Sequence, residues 1–205
     1  MADARVHWET VYASKAETAV SWYQPRSLLS AQLIAQATAS DLAAPIVDIG
    51  GGASTLVDDL LARDFRDITV LDIAGSALAK SKARLGARAG QVAWLEADIT
   101  AWTPPRQWQV WHDRAVFHFL TDALRQDAYI DALTAGTRPG ATVIVSTFAL
   151  DGPERCSGLP VQRYSPASLA ARLGPAFVLT DEAREVHRTP SGSEQAFAYA
   201  ILRRQ

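Results

Sequence analysis

The chain has 205 residues, a length typical of one domain and short for two separate hydrophobic cores. Hydrophobic residues make up 48% of it and charged residues 20%, a composition that excludes disordered, collagen-like and coiled-coil proteins. The 20 Lys and Arg are balanced by 22 Asp and Glu, and the formal net charge of -2 argues against a general nucleic-acid binder or a protein held on an anionic membrane.

Residues 5–40 have amphipathic spacing, so we predict an N-terminal helical arm. From residue 45 onward, short apolar segments alternate with helical ones in the order βαβαβ, which is typical of a parallel sheet covered by helices on both faces. The apolar positions on one face of the arm are Trp22, Leu28, Leu29, Leu33 and Ile34. The predicted strands of this part are 46–49, 68–72, 92–98, 108–113 and 142–148, and the predicted helices are 54–63, 76–88 and 122–136.

The last third of the chain begins with residues 151–160, which are rich in Gly, Pro and charge and are expected to form a loop. Ser165 followed by Pro166 predicts the start of a short helix that ends near residue 173. Two final strands, 177–183 and 196–203, are joined without a helix and are therefore expected to pair antiparallel.

The most informative segment is residues 48–54, which joins the end of the first predicted strand to a helix and contains three consecutive glycines. Glycines let the backbone turn sharply and remove side chains, so that a ligand can lie against the main chain. Thr55 occupies the position where a dinucleotide fingerprint needs another glycine, and the Gly-Lys-Ser/Thr of a phosphate loop is also absent. A plain turn capped by Ser54 is the alternative interpretation.

Asp48, directly before the glycines, bears on the charge of the ligand. Two like charges a few ångströms apart repel by roughly 1 kcal/mol in water and by more in a desolvated cleft. The carboxylate therefore argues against a pyrophosphate and favours a cation. S-adenosylmethionine carries a sulfonium and an ammonium and has no phosphate.

Asp72 and Asp98 follow the second and third predicted strands, at the edge where open α/β sheets bind ligands. At this edge Asp72 can accept hydrogen bonds from ribose hydroxyls, and Asp98 can accept one from an adenine amino group while Ile99 packs on the ring. Each aspartate has an alternative role as a turn former or helix cap.

Segments 47–54, 70–73, 97–99 and 111–114 resemble, in order and spacing, the successive motifs of class I S-adenosylmethionine-dependent methyltransferases. Residues 7–12 and 21–24 also resemble the N-terminal segment of the small bacterial type. The resemblance to the successive motifs covers residues 45–150. It implies a Rossmann-like, seven-stranded, mostly parallel sheet with helices on both faces and a C-terminal antiparallel strand pair. It assigns the methionine part of the cofactor to Asp48, Gly50, Gly51 and Gly52, the ribose to Asp72, and the adenine to Asp98 and Ile99, and it places Asp113 beside the methionine end and the substrate opening. Ser54 and Ile73 are also predicted to bind the cofactor.

The resemblance also divides the single domain, residues 1–205, into three parts. Residues 1–40 would be a helical arm or lid, 45–150 the cofactor-binding core, and 151–205 a substrate-side loop, helix and terminal strands. Trp22, Tyr23 and Arg155 are predicted on the substrate side, although the aromatic residues of the arm are equally consistent with ordinary core packing.

His118, near the end of the fourth predicted strand, is the candidate general base, and His112 is the second choice. A packed, hydrogen-bonded histidine is the alternative for His118. His7 and His187 lie in no spacing that indicates a metal site.

The expected reaction is methyl transfer to a small-molecule nucleophile with release of S-adenosylhomocysteine. The alternatives are a protein-lysine methyltransferase and a non-catalytic, S-adenosylmethionine-binding regulatory protein. Cys156 is the single cysteine, and the chain shows neither a signal peptide nor a membrane-spanning apolar segment, so a cytoplasmic protein with no nucleic-acid or membrane partner is expected.

Overall fold

A computed structural model describes residues 2–205. Over these residues helices and strands alternate through most of the chain. The α-helices are α1 (Ala2–Ser14), α2 (Leu28–Ala37), α3 (Leu56–Leu61), α4 (Gly75–Leu85), α5 (Ala123–Ala135) and α6 (Pro166–Leu173). The strands are β1 (Ile46–Ile49), β2 (Ile68–Asp72), β3 (Val92–Glu96), β4 (Trp108–Arg114), β5 (Thr137–Phe148), β6 (Arg155–Cys156), β7 (Leu159–Pro160), β8 (Phe177–Arg188) and β9 (Glu194–Arg204).

Within residues 2–205, seven strands form one sheet in the order β3-β2-β1-β4-β5-β9-β8. The first five of these strands run parallel, and β9 pairs antiparallel with both β5 and β8. The predicted Rossmann-like sheet with a terminal antiparallel pair is confirmed. Strand β8 forms one edge, and its register against β9 shifts between Leu179 and Asp181.

Both faces of the sheet are covered, because consecutive residues of a strand point to opposite sides. Ile46 packs in a cluster with Ile34 of α2 and Leu60 of α3, whereas its neighbour Val47 packs in a second cluster with Tyr129 of α5. All residues of β1 and β2 are buried. The carboxyl ends of β1, β2, β3 and β4 therefore meet at one edge, held by a core on either side.

The N-terminal arm is not the continuous amphipathic segment that its spacing predicts. Helix α1 ends at Ser14, a short 3-10 turn spans Glu17–Ala19, and α2 begins only at Leu28. Pro25 explains the gap, because a proline lacks the backbone N–H of a helix interior and also disfavours helical geometry in the residue before it. Leu28, predicted on the buried face, is 56% exposed.

The terminal segments are more regular than their composition suggests. The predicted loop 151–160 contains the small antiparallel hairpin of β6 and β7. Strands β5, β8 and β9 are longer than predicted, since their pairing extends past the apolar positions that mark them in the sequence. None of the helices within residues 2–205 has the length and apolar character needed to cross a membrane.

Candidate functional site

Two adjoining cavities lie at the carboxyl edge of the parallel strands in the part of the chain that the structure describes. The first encloses about 860 Å³ of space including its mouth, and the second about 550 Å³. The residues that line both cavities, and so mark their junction, are Tyr12, Trp22, Ile49, Gly50 and Arg114.

The glycine loop, residues 50–52, reaches this junction at Gly50. Gly50 has φ of +68°, in the left-handed region that favours glycine, and a Cβ there would overlap with the side chain of Val116. The N–H groups of Gly50 and Gly51 both donate to the carbonyl of Leu71, at 2.7 and 3.2 Å. The loop is thus bound to the end of β2, and its main chain faces the cavities.

Asp48 lines the second cavity and is held by a chain of buried side chains. Nδ1 of His112 lies 2.7 Å from Oδ1 of Asp48, and Nε2 of His112 lies 2.9 Å from Oγ of Ser30. With Nδ1 donating to the carboxylate, Nε2 accepts the hydroxyl proton of Ser30. Both nitrogens of His112, the second candidate base, are therefore occupied, and the histidine orients Asp48. Gly51, Ser54 and Tyr23 line the same cavity.

Asp72 lines the first cavity at the end of β2, and its Oδ1 accepts the N–H of Ala74 at 2.8 Å. The side chain is almost completely buried. Burial raises the pKa of Asp72 to about 7, and the negative charges of Asp48 and Glu9 act in the same direction. A ligand with hydroxyl donors or positive charge would stabilise the ionised form.

Asp98, Ile73 and Ile99 line the first cavity beside Asp72. Oδ1 of Asp98 accepts the backbone N–H of Thr100 at 2.9 Å and its hydroxyl at 2.8 Å. The capping role that the sequence left open is therefore present. Asp98 also lines the first cavity, next to the apolar side chain of Ile99.

Asp113 and His118 lie at and just after the end of β4, as the sequence places them, but both are completely buried and line neither of the two cavities. Asp113 accepts the N–H groups of Val116 and Phe117 at 2.8 and 3.1 Å and the hydroxyl of Tyr129 at 2.7 Å. These bonds fix the turn after β4, and the predicted contact of Asp113 with a methionine group is not supported.

His118 is packed between Phe119 and Phe148, with ring centroids 4.4 and 4.8 Å away. Its Nδ1 accepts the N–H of Phe148 at 3.4 Å. Burial and the nearby charge of Arg114 lower its pKa to about 3, so the ring is neutral, but it does not reach a cavity. The structure therefore favours the packed alternative over the predicted general base.

The remaining predicted positions differ in where they lie. Arg155 is exposed on β6, where it donates to the carbonyl of Gly158, and it lines neither cavity. Gly52 also lines neither cavity and instead sits behind the carboxylate of Asp72. Trp22 and Tyr23 do lie at the cavities.

An aromatic wall formed by the arm was only partly anticipated. Trp8 of α1 meets Phe119 edge to face at 5.0 Å and Trp22 at 5.7 Å between ring centroids, and Tyr12 meets Trp22 at 6.0 Å. Trp8, Tyr12, Trp22 and Phe119 all line the first cavity. The arm thus closes one side of the cavity with rings in contact.

Arg114, at the end of β4, is the main residue of the site that sequence reasoning missed. Its guanidinium stacks 4.1 Å from the ring of Phe197, Nη2 donates to Glu185 at 3.0 Å, and Nε donates to the hydroxyl of Tyr199 at 3.2 Å. Arg114 belongs to the quoted segment 111–114, so a signal existed. The sequence contains no local signal for Glu185 or Phe197, because they lie far from the site along the chain and reach it only through the pairing of β8 with β9.

Among residues 2–205, no group of three His, Cys, Asp or Glu side chains is arranged to hold a metal ion. No protein-family model matches the sequence, and no curated protein is significantly similar to it.

Solved structures are similar to this chain at low sequence identity. A methyltransferase from Anabaena variabilis, described as S-adenosylmethionine-dependent, is 14% identical, with 98% of this chain and 95% of that chain covered and a TM-score of 0.73. The 1,6-didemethyltoxoflavin-N1-methyltransferase of Burkholderia thailandensis, solved with 1,6-didemethyltoxoflavin and S-adenosylhomocysteine, is 19% identical over 100% of this chain and 89% of that one, with a TM-score of 0.69. The N-methyltransferase NodS of Bradyrhizobium japonicum, solved with S-adenosylhomocysteine, is 15% identical over 86% of each chain, with a TM-score of 0.66. This chain has the fold of the class I S-adenosylmethionine-dependent methyltransferases.

Proposed function

We propose that the protein transfers a methyl group from S-adenosylmethionine to a small-molecule nucleophile and releases S-adenosylhomocysteine. One observation carries the proposal: the two cavities meet at the main chain of Gly50, with Asp72 and Asp98 on one side and Asp48 on the other. This arrangement suits a ligand with an adenosine part at one end and a cationic amino-acid part at the other.

The chemistry of the residues fits this cofactor. Asp72 would accept the ribose hydroxyls, Asp98 and Ile99 would hold the adenine, and the second cavity with Asp48 would take the methionine part. Carboxylates in both cavities oppose the phosphates of a dinucleotide and favour positive charge. When bound, the cofactor supplies an electrophilic methyl group on sulfur.

The task of the protein in this reaction is alignment and exclusion of water. The rings of Trp8, Trp22 and Phe119 enclose the cavity beside the junction. The Arg114–Glu185 pair and the stack on Phe197 hold the opposite wall in place. A nucleophile in this space would face the methyl group with little room to rotate.

A small acceptor is favoured over a protein lysine. The cavity lies beneath the aromatic rings of the arm, whereas a lysine side chain needs an open channel. A lysine ammonium would also have to lose a proton before reacting. The toxoflavin methyltransferase, which has the same fold, was solved with the small molecule 1,6-didemethyltoxoflavin.

Calorimetry with S-adenosylhomocysteine tests the cofactor site. Micromolar binding is expected for the wild-type protein, with none for NAD, and Asp72→Ala should weaken it about 10- to 100-fold through loss of the ribose hydrogen bonds. Asp151→Ala is the matched control, because Asp151 is an exposed carboxylate paired with Arg184. NAD binding, or equal affinity in the two variants, would contradict the assignment.

A radiolabelled methyl-transfer screen tests the reaction. The panel would contain thiols, heterocyclic amines, carboxylates and a cell lysate. Label in the small-molecule fraction supports the proposal, whereas label in a protein band favours lysine transfer. Binding of S-adenosylhomocysteine without any transfer favours the regulatory alternative.

A further inference from the structure

Gly50 divides the first cavity into a part that contains Asp72 and a second part that is lined by different residues. In the sheet order, Asp72 and Asp98 follow β2 and β3 on one side of β1, while Arg114 and Phe197 belong to β4 and β9 on the other. We name this second part the acceptor chamber. The residues that define it are Trp8, Trp22, Arg114, Phe119, Cys156 and Phe197.

Arg114 offers hydrogen-bond donors to this chamber. Its side chain is 10% exposed. Its Nε and Nη2 donate to Glu185 and Tyr199, but within the described part of the chain Nη1 has no hydrogen-bond partner. A guanidinium carries two N–H groups on Nη1, and this nitrogen is not among the atoms that are both buried and unpaired, so its donors are open to a molecule in the cavities. A ligand atom that accepts a hydrogen bond would satisfy this nitrogen.

The charges at the chamber select against a cationic acceptor. Glu185 lies 3.0 Å from Nη2 of Arg114 and balances its charge within a mostly buried pair. Because Glu185 balances Arg114, the charge that opposes a positively charged acceptor is the sulfonium of the proposed cofactor. Repulsion of this kind grows as water is excluded.

The chamber also lacks a group able to take a proton from the acceptor. Among its described residues, the ionisable side chains are Arg114 and Cys156, and Tyr12 lies at its border. Arginine stays protonated at neutral pH. Burial raises the pKa of the Cys156 thiol to about 11 and raises that of the Tyr12 phenol as well, so neither is an anion. The nucleophile must therefore arrive with a free lone pair.

The aromatic rings determine the shape that fits. Trp8, Trp22, Phe119 and Phe197 all line the first cavity, and a wall rich in aromatic rings packs well against a flat, apolar molecule. Together these features point to a planar acceptor with a polar edge.

Building on the function proposed above, we infer that the acceptor is an uncharged heteroaromatic compound in which an imine-type ring nitrogen without a proton takes the methyl group, while a carbonyl oxygen elsewhere on the same ring system accepts a hydrogen bond from Nη1 of Arg114. The lone pair of the ring nitrogen forms the new N–CH3 bond, and the S–CH3 electron pair stays on sulfur. The product leaves as the N-methyl cation, or loses a ring proton to water where it carries one. Arg114 is thus a specificity-determining residue.

The test compares two probes of equal size, quinazolin-4-one, which has the carbonyl, and quinazoline, which lacks it. Their binding is measured by quenching of tryptophan fluorescence and by calorimetry, with the protein saturated with S-adenosylhomocysteine. The expected result is at least tenfold tighter binding of quinazolin-4-one to the wild-type protein. Arg114→Gln should abolish the preference, measured with each protein saturated with S-adenosylhomocysteine at its own affinity. Label transfer to quinazolin-4-one, with none to butylamine, is also expected.

Several results would overturn the inference. Failure of both probes to bind, equal binding to the wild-type protein, or a preference that survives in Arg114→Gln would each do so. A loss of affinity for S-adenosylhomocysteine but not for 5'-methylthioadenosine in that variant would assign Arg114 to the amino-acid end of the cofactor instead. If Arg114→Gln does not fold, Arg114→Lys provides the comparison, and the wild-type preference stands as an independent measurement. Absence of S-adenosylhomocysteine binding to the wild-type protein would instead refute the proposed function.

Discussion

Gly52 and Asp72 occupy adjacent space so closely that a side chain at residue 52 would overlap with the carboxylate at residue 72. The same added carbon would lie 2.8 Å from Cβ of Ala77. The third glycine of the loop therefore serves to admit the aspartate of the neighbouring strand.

Gly52→Ala is expected to lower the free energy of unfolding by about 1–3 kcal/mol, because the methyl group must displace Asp72 or helix α4. It should also weaken S-adenosylhomocysteine at least tenfold by moving the carboxylate. Denaturant unfolding and calorimetry measure the two effects. Gly90→Ala is the control, since a Cβ at Gly90 meets nothing within 4 Å, and equal behaviour of the two variants would disprove the explanation.

The raised pKa of Asp72 predicts a pH dependence of stability. The group has a pKa of about 7 in the folded protein against 3.8 ordinarily, so between these values the native state holds a proton that the unfolded chain has lost. The free energy of unfolding should therefore fall as pH rises from about 4 to 7. Asp72→Asn should reduce this slope without removing it, because burial also raises the pKa of Asp113, to about 6. Denaturant unfolding at a series of pH values provides the check, and an unchanged slope would count against it.

Ser30, His112 and Asp48 form a buried series of hydrogen bonds. Substitutions at its members should lower the free energy of unfolding by unequal amounts. Ser30→Ala removes one neutral hydrogen bond and should cost about 1–2 kcal/mol. His112→Leu leaves the Asp48 carboxylate without its partner and should cost about 3–5 kcal/mol.

A double-mutant cycle tests whether the unpaired charge of Asp48 causes the loss of stability in His112→Leu. If the cost of His112→Leu arises from the stranded charge, adding Asp48→Asn should recover part of it, as measured by chemical denaturation. Strict additivity of the two substitutions would mean that the pair is not coupled.

Arg84 connects the arm to the glycine loop. Its Nη1 donates to Glu17 at 2.7 Å, and its Nη2 donates to Asp58 at 2.8 Å and to the carbonyl of Ser54 at 2.7 Å. Arg84→Ala should lower the free energy of unfolding by about 1–3 kcal/mol, since two carboxylates and a carbonyl lose one donor.

Limited proteolysis reports on the arm directly. Trypsin should cleave after Lys15 faster in Arg84→Ala than in the wild-type protein, because Glu17 no longer holds the adjacent turn. Arg84→Lys, which keeps the charge but not the planar fork, should fall between them. Identical cleavage rates in all three proteins would rule out this role for Arg84.

Local pattern was sufficient to predict the sheet. Asp48, Asp72 and Asp98 each end an apolar segment, and the parallel order brings those ends together. Burial was not predictable in the same way. Asp113 and His118 also lie near the end of a strand, and only the packing of Tyr129 and Phe148 around them distinguishes a core position from a cavity wall.

Contacts between segments that are distant along the chain were also not predictable from the sequence. The stack of Arg114 on Phe197 joins residues 83 positions apart, and its geometry depends on the antiparallel register of β9. No spacing within either segment encodes that contact. The position of Trp22 likewise depends on how the chain crosses between α1 and α2, which amphipathic periodicity does not specify.

Strand β8, at one edge of the sheet, carries exposed charges at Asp181, Glu182, Arg184 and Arg188, and its register against β9 shifts between Leu179 and Asp181. A strand with open backbone groups is a template on which another molecule can add a strand and begin aggregation, and charges and bulges oppose such pairing. In a crowded solution, this edge should keep separate molecules from joining sheet to sheet.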